Sequence, residues 1–155
     1  MLPSVADLKT ALESRLPGVS ISVDGAALVI QPHDLRRVCD ILKAAPYQLD
    51  YLANLTAVDY PPDRMDMVYH LYSMALKHGP VTLRASLPRA TPVIDSLVPM
   101  YRGAEYQERE VYDLFGVRFE GHPDLRRILM WDEFVGHPMR KDYVPEDQDA
   151  PMEPR

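Results

Sequence analysis

The residues best suited to acid–base or ligand chemistry cluster between Glu108 and Tyr143, where carboxylates, arginines and two histidines follow one another closely. His122 and His137 each stand between a glycine and a proline, a context that favours extended backbone and turns. Neighbouring acids such as Asp124 supply metal-ligand types, but the spacing matches no helical or knuckle-type ligand pattern. We therefore expect both histidines to structure turns and to make hydrogen bonds at an interface. A free-standing metal hydrolase that uses both histidines is the alternative from another class of function.

The remaining residue types point away from covalent catalysis and nucleotide binding. Cys39 is the only cysteine, so this chain alone holds neither a disulfide nor a four-thiolate iron-sulfur cluster. Beyond the predicted helix, two basic pairs add positive charge, Arg126 with Arg127 and Arg140 with Lys141. No glycine-rich loop or Walker-type lysine accompanies them, so pairing with a partner's carboxylates or carbonyls is favoured over phosphate binding. We predict no catalytic residue, no cofactor and no metal in this chain.

Length and composition favour one globular domain with an appendage. The chain has 155 residues, of which 46% are hydrophobic and 26% are charged, close to ordinary globular usage. Its formal charge of -6 argues against nucleic acid and anionic lipid as partners. The sequence shows no signal-peptide pattern and no apolar run of membrane-spanning length, so we expect membrane contact only through partner proteins. The single cysteine fits a reducing, cytoplasmic setting.

Hydrophobic periodicity predicts three elements in the first third of the chain. Ser4 caps a predicted helix that ends near Pro17. Alternating apolar residues on both sides of Asp24-Gly25 then predict a tight hairpin. A second helix opens at Pro32 and stops before Pro46.

The middle of the chain is predicted to be mostly strand. Leucines at helical spacing followed by β-favouring residues predict a short helix that runs into a strand within residues 47–60. Residues 65–75 and 81–87 have the composition and alternation of two strands joined by a turn. Thr91-Pro92 has the form of a cap followed by proline, which predicts a short helix limited by Pro99.

A further helix is predicted from about Ala104 to Phe115, with Gly116 as its left-handed C-terminal cap. Arg109 and Asp113 lie four residues apart and can pair on its surface. Five apolar residues accompany them: Val111, Tyr112, Leu114, Phe115 and Phe119. These apolar neighbours favour a protein interface surrounded by charged residues over a simple solvated helix face.

The order of elements predicts an α+β fold in which helices pack as a second layer on a largely antiparallel sheet. We expect residues 1–119 to form this domain and residues 120–155 to form an extended C-terminal arm for partner docking, because prolines are frequent there and no long apolar period survives. Trp131 and Phe134 either anchor a partner contact or fold back on the chain's own core, and the sequence leaves both open. The acidic segment Glu146–Arg155 is predicted to be disordered without a partner.

The segment around the last predicted helix resembles a known signature. Its parts are Glu108-Arg109-Glu110, Asp113, Leu114-Phe115, His122, Arg126 and Ile128-Leu129. This pattern is similar to that of the thirty-kilodalton subunit family of respiratory complex I, which is the C subunit of the NADH-quinone oxidoreductases. Residues 52–60 (L-A-N-L-T-A-V-D-Y) and 136–143 (G-H-P-M-R-K-D-Y) also resemble family segments.

The resemblance implies a hydrophilic subunit of the peripheral arm of a proton-translocating enzyme, on the cytoplasmic side of the cell inner membrane. Such a subunit itself holds no cofactor, while the complex passes electrons from NADH through FMN and iron-sulfur clusters to quinone. Its partners would be the large D subunit, which forms the quinone pocket with the B subunit, and other peripheral-arm subunits. Related subunits of membrane-bound energy-converting hydrogenases or ferredoxin-dependent complexes share the signature, so the electron donor stays open.

The resemblance also implies which residues would serve folding and partner docking. These residues are Glu108, Arg109, Glu110, Asp113, Leu114, Phe115, His122, Arg126, Trp131, His137, Arg140 and Lys141. In relatives a proline commonly follows the aromatic residue directly, whereas here Val144 separates Tyr143 from Pro145. The path of the last residues is therefore not implied by the resemblance.

Overall fold

A computed structural model describes residues 2–145. Within this range the chain forms three α-helices: α1 (Val5–Arg15), α2 (Leu35–Lys43) and α3 (Ala104–Phe115). The same range holds seven strands: β1 (Ser22–Asp24), β2 (Ala27–Ile30), β3 (Tyr51–Tyr60), β4 (Arg64–Ser73), β5 (His78–Pro88), β6 (Val93–Asp95) and β7 (Arg118–Glu120). A short 3-10 turn, Pro32–Asp34, leads into α2. The tail predicted to be disordered, Glu146–Arg155, lies outside the described residues.

The main sheet has five strands in the order β1-β2-β5-β4-β3. Its pairings are antiparallel except between β2 and β5, which run parallel. Buried side chains alternate with more exposed ones along β4 and β5, because successive residues of a strand point to opposite faces. The buried residues of all three helices join the same hydrophobic core as the sheet. The predicted α+β fold with a largely antiparallel sheet is confirmed.

Residues 47–60 differ from the prediction, because no helix precedes the strand. The chain turns at residues 45–47 and enters β3 directly at Tyr51. The leucines Leu49, Leu52 and Leu55 are all buried although they are three residues apart. A register shift between Leu52 and Asn54 explains the spacing of Leu52 and Leu55, because one extra residue in a strand restores the same side-chain face after three positions rather than two. Leu49 lies before the strand and is buried independently of this β-bulge.

The helix predicted after Thr91-Pro92 is also absent from the described chain, and strand β6 takes its place. Strand β6 pairs in parallel with β7, with Ile94 opposite Phe119. The Arg118 amide donates to the Pro92 carbonyl at 2.9 Å, which extends the pairing beyond β6. Pairing with a strand 25 residues later thus overrides the local capping signal.

Helix α3 follows the prediction at both ends. It runs from Ala104 to Phe115 and stops at Gly116, whose φ of 77° is left-handed and whose amide donates to the Tyr112 carbonyl. The Gln107 side chain accepts a 2.7 Å hydrogen bond from the Leu55 amide, which fixes the helix against strand β3. After β7, residues 121–145 contain no helix or strand and are called the arm below. No helix in the described part of the chain has the length and apolar character needed to cross a membrane.

Candidate functional site: helix α3 and the C-terminal arm

Asp113 on helix α3 binds the backbone of the arm. Its side chain is fully buried, and Oδ2 accepts hydrogen bonds from three consecutive amides, those of Ile128 (3.0 Å), Leu129 (2.7 Å) and Met130 (2.8 Å). Oδ1 accepts a charge-assisted bond from Arg127 Nη1 at 2.5 Å. Burial by itself raises the pKa of Asp113, but these four donors outweigh it and hold the pKa below its usual value.

Arg109 binds the same stretch of the arm as a hydrogen-bond donor, whereas Asp113 is an acceptor. Its Nε donates to the Arg126 carbonyl at 3.1 Å and its Nη2 donates to the Arg127 carbonyl at 2.8 Å. Arg109 and Asp113, which the sequence allowed to pair on the helix surface, are both buried and both bind the arm. A chain segment without strand or helix leaves its buried amides and carbonyls in need of partners, and these two side chains supply them.

Arg127 completes this arrangement, although it is not among the docking residues that the family resemblance implied. Besides its bond to Asp113, Arg127 Nη2 donates to the carbonyls of Phe134 and Gly136, each at 2.9 Å. Its guanidinium lies 5.5 Å from the centre of the Phe134 ring. The neighbouring Arg126 is largely exposed and pairs with Asp124, two residues away. We call Arg109, Asp113 and Arg127 the first clasp.

A second group of charged residues holds the far end of the arm against the sheet. Buried Asp59, in strand β3, accepts from Arg89 Nε at 2.6 Å and from the Lys141 amide at 2.8 Å. Arg89 also pairs with Asp142 at 2.8 Å. Arg140 donates to the carbonyls of Arg89 (3.1 Å) and Phe115 (3.3 Å). The hydrogen bonds from the Arg89 side chain lower the pKa of Asp59. We call Asp59, Arg89 and Arg140 the second clasp.

Both histidines of the Gly-His-Pro triplets bind backbone atoms. His137 Nδ1 lies 2.9 Å from the Asp113 carbonyl, and because a carbonyl only accepts, this nitrogen carries the proton. The His137 ring also covers Gly116, where an added Cβ would lie 2.7 Å from Cδ2. His122 Nε2 donates to the Glu105 carbonyl at 2.9 Å. Within residues 2–145 no group of three His, Cys, Asp or Glu side chains is placed to hold a metal.

The other predicted residues of α3 divide between core and surface. Glu108 is fully buried and accepts 2.6 Å hydrogen bonds from Ser96 Oγ and from the Leu97 amide. Glu110 is exposed, whereas Phe115 is buried in the core. The Leu114 carbonyl accepts from the Met139 amide at 3.0 Å.

The outer side of the arm carries apolar side chains. The ring of Trp131, which is 45% exposed, packs edge-on against Phe134, with the ring centres 4.9 Å apart. Phe134 in turn stacks on Tyr143 at 6.0 Å. Six exposed apolar residues form what we call the arm surface: Ile128, Leu129, Trp131, Val135, Met139 and Val144. An open cavity of about 370 Å³ lies beside it, lined in part by Arg140 and Tyr143.

Sequence comparison covers both clasps and most of the sheet. Residues 28–149 match the family model described as "Respiratory-chain NADH dehydrogenase, 30 Kd subunit". The C subunit of NADH-quinone oxidoreductase from Moorella thermoacetica is 47% identical over 122 residues, which are 78% of this chain and 81% of that protein. The C/D subunit of NADH-quinone oxidoreductase from Phocaeicola vulgatus is 41% identical over 95 residues, 61% of this chain and 18% of that protein.

Solved structures show the same fold. A trypsin-resistant fragment (1-134) of Nqo5 superposes with a TM-score of 0.62 at 29% identity, over 79% of this chain and 100% of the fragment. A chain of the membrane-bound sulfane sulfur reductase, an archaeal respiratory membrane complex, has a TM-score of 0.71 at 24% identity, over 90% of this chain and 85% of that one. The predicted family resemblance is confirmed, and this chain belongs to the 30 Kd subunit family of respiratory-chain NADH dehydrogenase, whose matched members are named as the C subunit of NADH-quinone oxidoreductase.

Proposed function

We propose that this chain is a non-catalytic, peripheral-arm subunit of a proton-translocating NADH-quinone oxidoreductase and that it supports the quinone-site module. The observation that carries this proposal is the use made of the signature residues. Arg109 and Asp113 are buried, and their side chains form hydrogen bonds with the backbone of the arm. These two side chains therefore hold one segment of the chain in place.

In this proposal the cofactors of the reaction, FMN and the iron-sulfur clusters, belong to other subunits, which pass electrons from NADH to quinone. Two observations on the described residues support it. Cys39 is buried in the core, and burial raises the pKa of its thiol, which disfavours the thiolate form that binds iron. Both ring nitrogens of His122 are occupied by backbone groups, Glu105 O and Asp124 N.

The proposed partners are the large D subunit, the B subunit and other peripheral-arm subunits, and contact with the cytoplasmic side of the inner membrane is made only through them. The relative named as a C/D subunit joins the two under one name, which supports their close association. We propose residues 1–119 as the folded domain and residues 120–155 as the docking arm.

Within that division, we assign two tasks to five of the twelve predicted fold-and-docking residues. Arg109, Asp113, His137 and Arg140 bind atoms of their own chain and hold the arm. Trp131 belongs to the exposed arm surface, where an apolar centre with charged neighbours has the character of a protein interface. Docking therefore depends directly on the arm surface and only indirectly on the clasps.

Affinity capture from gently solubilised membranes, with an NADH-to-quinone assay of the eluate, tests this function. The tagged chain is expected to recover a large D-type subunit and NADH-driven quinone reduction. A double variant of the arm surface, Met139→Ser with Val144→Ser, is expected to lose this recovery while the isolated chain keeps its melting temperature.

Met74→Ser with Leu76→Ser is the matched control, because these exposed apolar residues lie at the turn between β4 and β5, away from the arm. The control is expected to recover the complex fully. Equal recovery by both double variants would reject the arm surface as the docking site. A complex that lacks this chain yet reduces quinone at the full rate would reject the function itself.

The alternative is the equivalent subunit of a membrane-bound hydrogenase or ferredoxin-dependent complex. The fold shared with a chain of an archaeal respiratory membrane complex makes this alternative worth a direct test. Capture of a nickel-containing large subunit, or activity with reduced ferredoxin and none with NADH, would assign the chain to that branch.

A further inference from the structure

A closed cluster of polar side chains lies beneath the start of the arm and belongs to neither clasp. At its centre, Glu108 Oε2 accepts from Ser96 Oγ and Oε1 accepts from the Leu97 amide, each at 2.6 Å. The side chains of Glu108 and His122 are both completely shielded from solvent, with Oε2 and Nε2 4.0 Å apart. Ser96 is fully buried as well.

His122 is held as a neutral ring by its backbone partners. Its Nδ1 accepts a 3.0 Å hydrogen bond from the Asp124 amide, so this nitrogen carries no proton. Its Nε2 donates to the Glu105 carbonyl at 2.9 Å, so the proton sits on that nitrogen. The ring therefore offers Glu108 an N–H just beyond hydrogen-bond distance but no positive charge.

The other groups that face Glu108 supply no ion pair at hydrogen-bond distance. The guanidinium of Arg36, on α2, donates to the carbonyls of Ser96 and Glu120 and lies 3.8 Å from the Asp95 carboxylate. From β4, the Tyr69 hydroxyl is buried, and it finds no hydrogen-bond partner among the described residues. Cys39 of α2 is a further buried neighbour of this cluster, through Tyr69.

An ionised carboxylate in such a cluster has only two neutral donors to replace its lost hydration. Burial accordingly raises the pKa of Glu108 to about 7, against the opposing effects of Ser96, the Leu97 amide and Arg36. The pKa values of Asp113 and Asp59 shift in the opposite direction, because arginine and amide donors favour their ionised forms.

We propose that Glu108 is a buried proton-binding site whose occupancy decides which oxygen receives the His122 Nε2–H. With the proton bound, the carboxyl is neutral and His122 stays on the Glu105 carbonyl. When the proton leaves to solvent, the carboxylate becomes the stronger acceptor and draws the N–H away from that carbonyl. Since His122 begins the arm, proton binding at α3 is coupled to the arm's first turn. This inference does not rest on the proposed function.

The effect on stability has a definite sign. A carboxyl with a raised folded-state pKa binds its proton more tightly when folded, so its contribution is fully present below the unfolded pKa of about 4.3. That contribution is lost as the pH rises through about 7. The chain is therefore expected to lose stability between these two pH values.

The test is an NMR titration of the full-length chain with labelled glutamate carboxyls and histidine ring nitrogens. The wild type is expected to show one carboxyl that titrates near neutral pH and is absent from Glu108→Gln, with the His122 nitrogen shifts changing at the same midpoint. Glu110→Gln, an exposed site on the same helix, is the control and keeps the signal.

Ser96→Ala provides a second variant that preserves the carboxyl itself. Loss of the serine donor disfavours the ionised form, so the same carboxyl is expected to titrate at a higher pH than in the wild type. The proposal is overturned if every glutamate finishes titrating below about pH 5.5. It is also overturned if the His122 nitrogen shifts stay constant through the carboxyl midpoint, since the histidine would then not follow the proton.

Discussion

The five-stranded sheet and the arm are ordered by opposite means. In the sheet, continuous backbone ladders and alternating buried side chains share the task over many residues. In the arm, backbone groups are bound by a few charged side chains, chiefly Asp113, Arg109 and Arg127 at one end and Asp59 with Arg140 at the other. A distributed structure tolerates the loss of one contact, whereas a clasped one fails at the clasp.

The two clasps repeat the same chemistry on different supports. In each, one buried aspartate accepts hydrogen bonds from an arginine and from the main chain of the arm, with three amides at Asp113 and one at Asp59. In each, an arginine also donates to main-chain carbonyls. One aspartate is on a helix and the other on a strand, so the arm is attached to both layers of the fold. Substitutions in the clasps should thus disorder the arm while the domain stays folded.

Asp113→Ala is expected to have the largest effect. It leaves Arg127 and three consecutive amides without their acceptor, a loss of about 3–5 kcal/mol for a buried charged partner. Amide hydrogen exchange at Ile128, Leu129 and Met130 should rise steeply, and trypsin should cut at Arg126 and Arg127, while the amides of β4 and β5 stay protected. Uniform loss of protection in sheet and arm would contradict the separation.

Gly116→Ala tests the junction between α3 and the arm. The left-handed φ of 77° and the His137 ring 2.7 Å from the added Cβ should together cost about 2–3 kcal/mol. Gly25→Ala is the matched control, because Gly25 has a φ of +59° with nothing near its added Cβ; it should cost about 1 kcal/mol. Denaturant unfolding of both variants measures the difference, and equal costs would remove the contribution of the His137 contact.

Acid should release the arm before the domain. The pKa values of Asp59 and Asp113 are lowered, so their stabilisation is present above the unfolded value of about 3.9 and is lost as the pH falls through the folded values. Trp131, the only tryptophan, reports on the arm by its fluorescence. Asp59→Asn should move the fluorescence transition to higher pH, and a transition simultaneous with loss of the far-ultraviolet circular dichroism would contradict this order.

Arg126→Ala should have the smallest effect on stability, whereas the same change at the neighbouring Arg127 should have one of the largest. Arg126 is exposed and pairs with the exposed Asp124, and such pairs contribute little to stability. Arg127→Ala removes bonds to Asp113 and to the carbonyls of Phe134 and Gly136. Melting curves of the two variants should therefore differ clearly, with Arg126→Ala matching the wild type.

The sequence was sufficient for elements whose signals are local. Helix α3 and its Gly116 cap follow from spacing within twelve residues, and the alternation in residues 81–87 marks β5. The family followed from side-chain types at fixed spacing around Asp113. Local signals failed where distant pairing decided the outcome, as at Pro92, where pairing with β7 replaced the expected helix.

The clasps could not be predicted for the same physical reason. Asp59 and Arg89 are 30 residues apart, and nothing in either local context indicates the other. Sequence also cannot distinguish Arg126 from Arg127, because the choice depends on which side chain the arm turns toward Asp113.

The second clasp has a consequence for the timing of folding. The contact between Asp59 and the Lys141 amide closes a loop of 82 residues, and Arg89 must already be in place beside Asp59 for the end of the arm to bind. Contacts of such long separation form after local ones, and the arm also follows the domain in the order of synthesis. A newly made chain is therefore expected to complete the arm surface only after its core has folded.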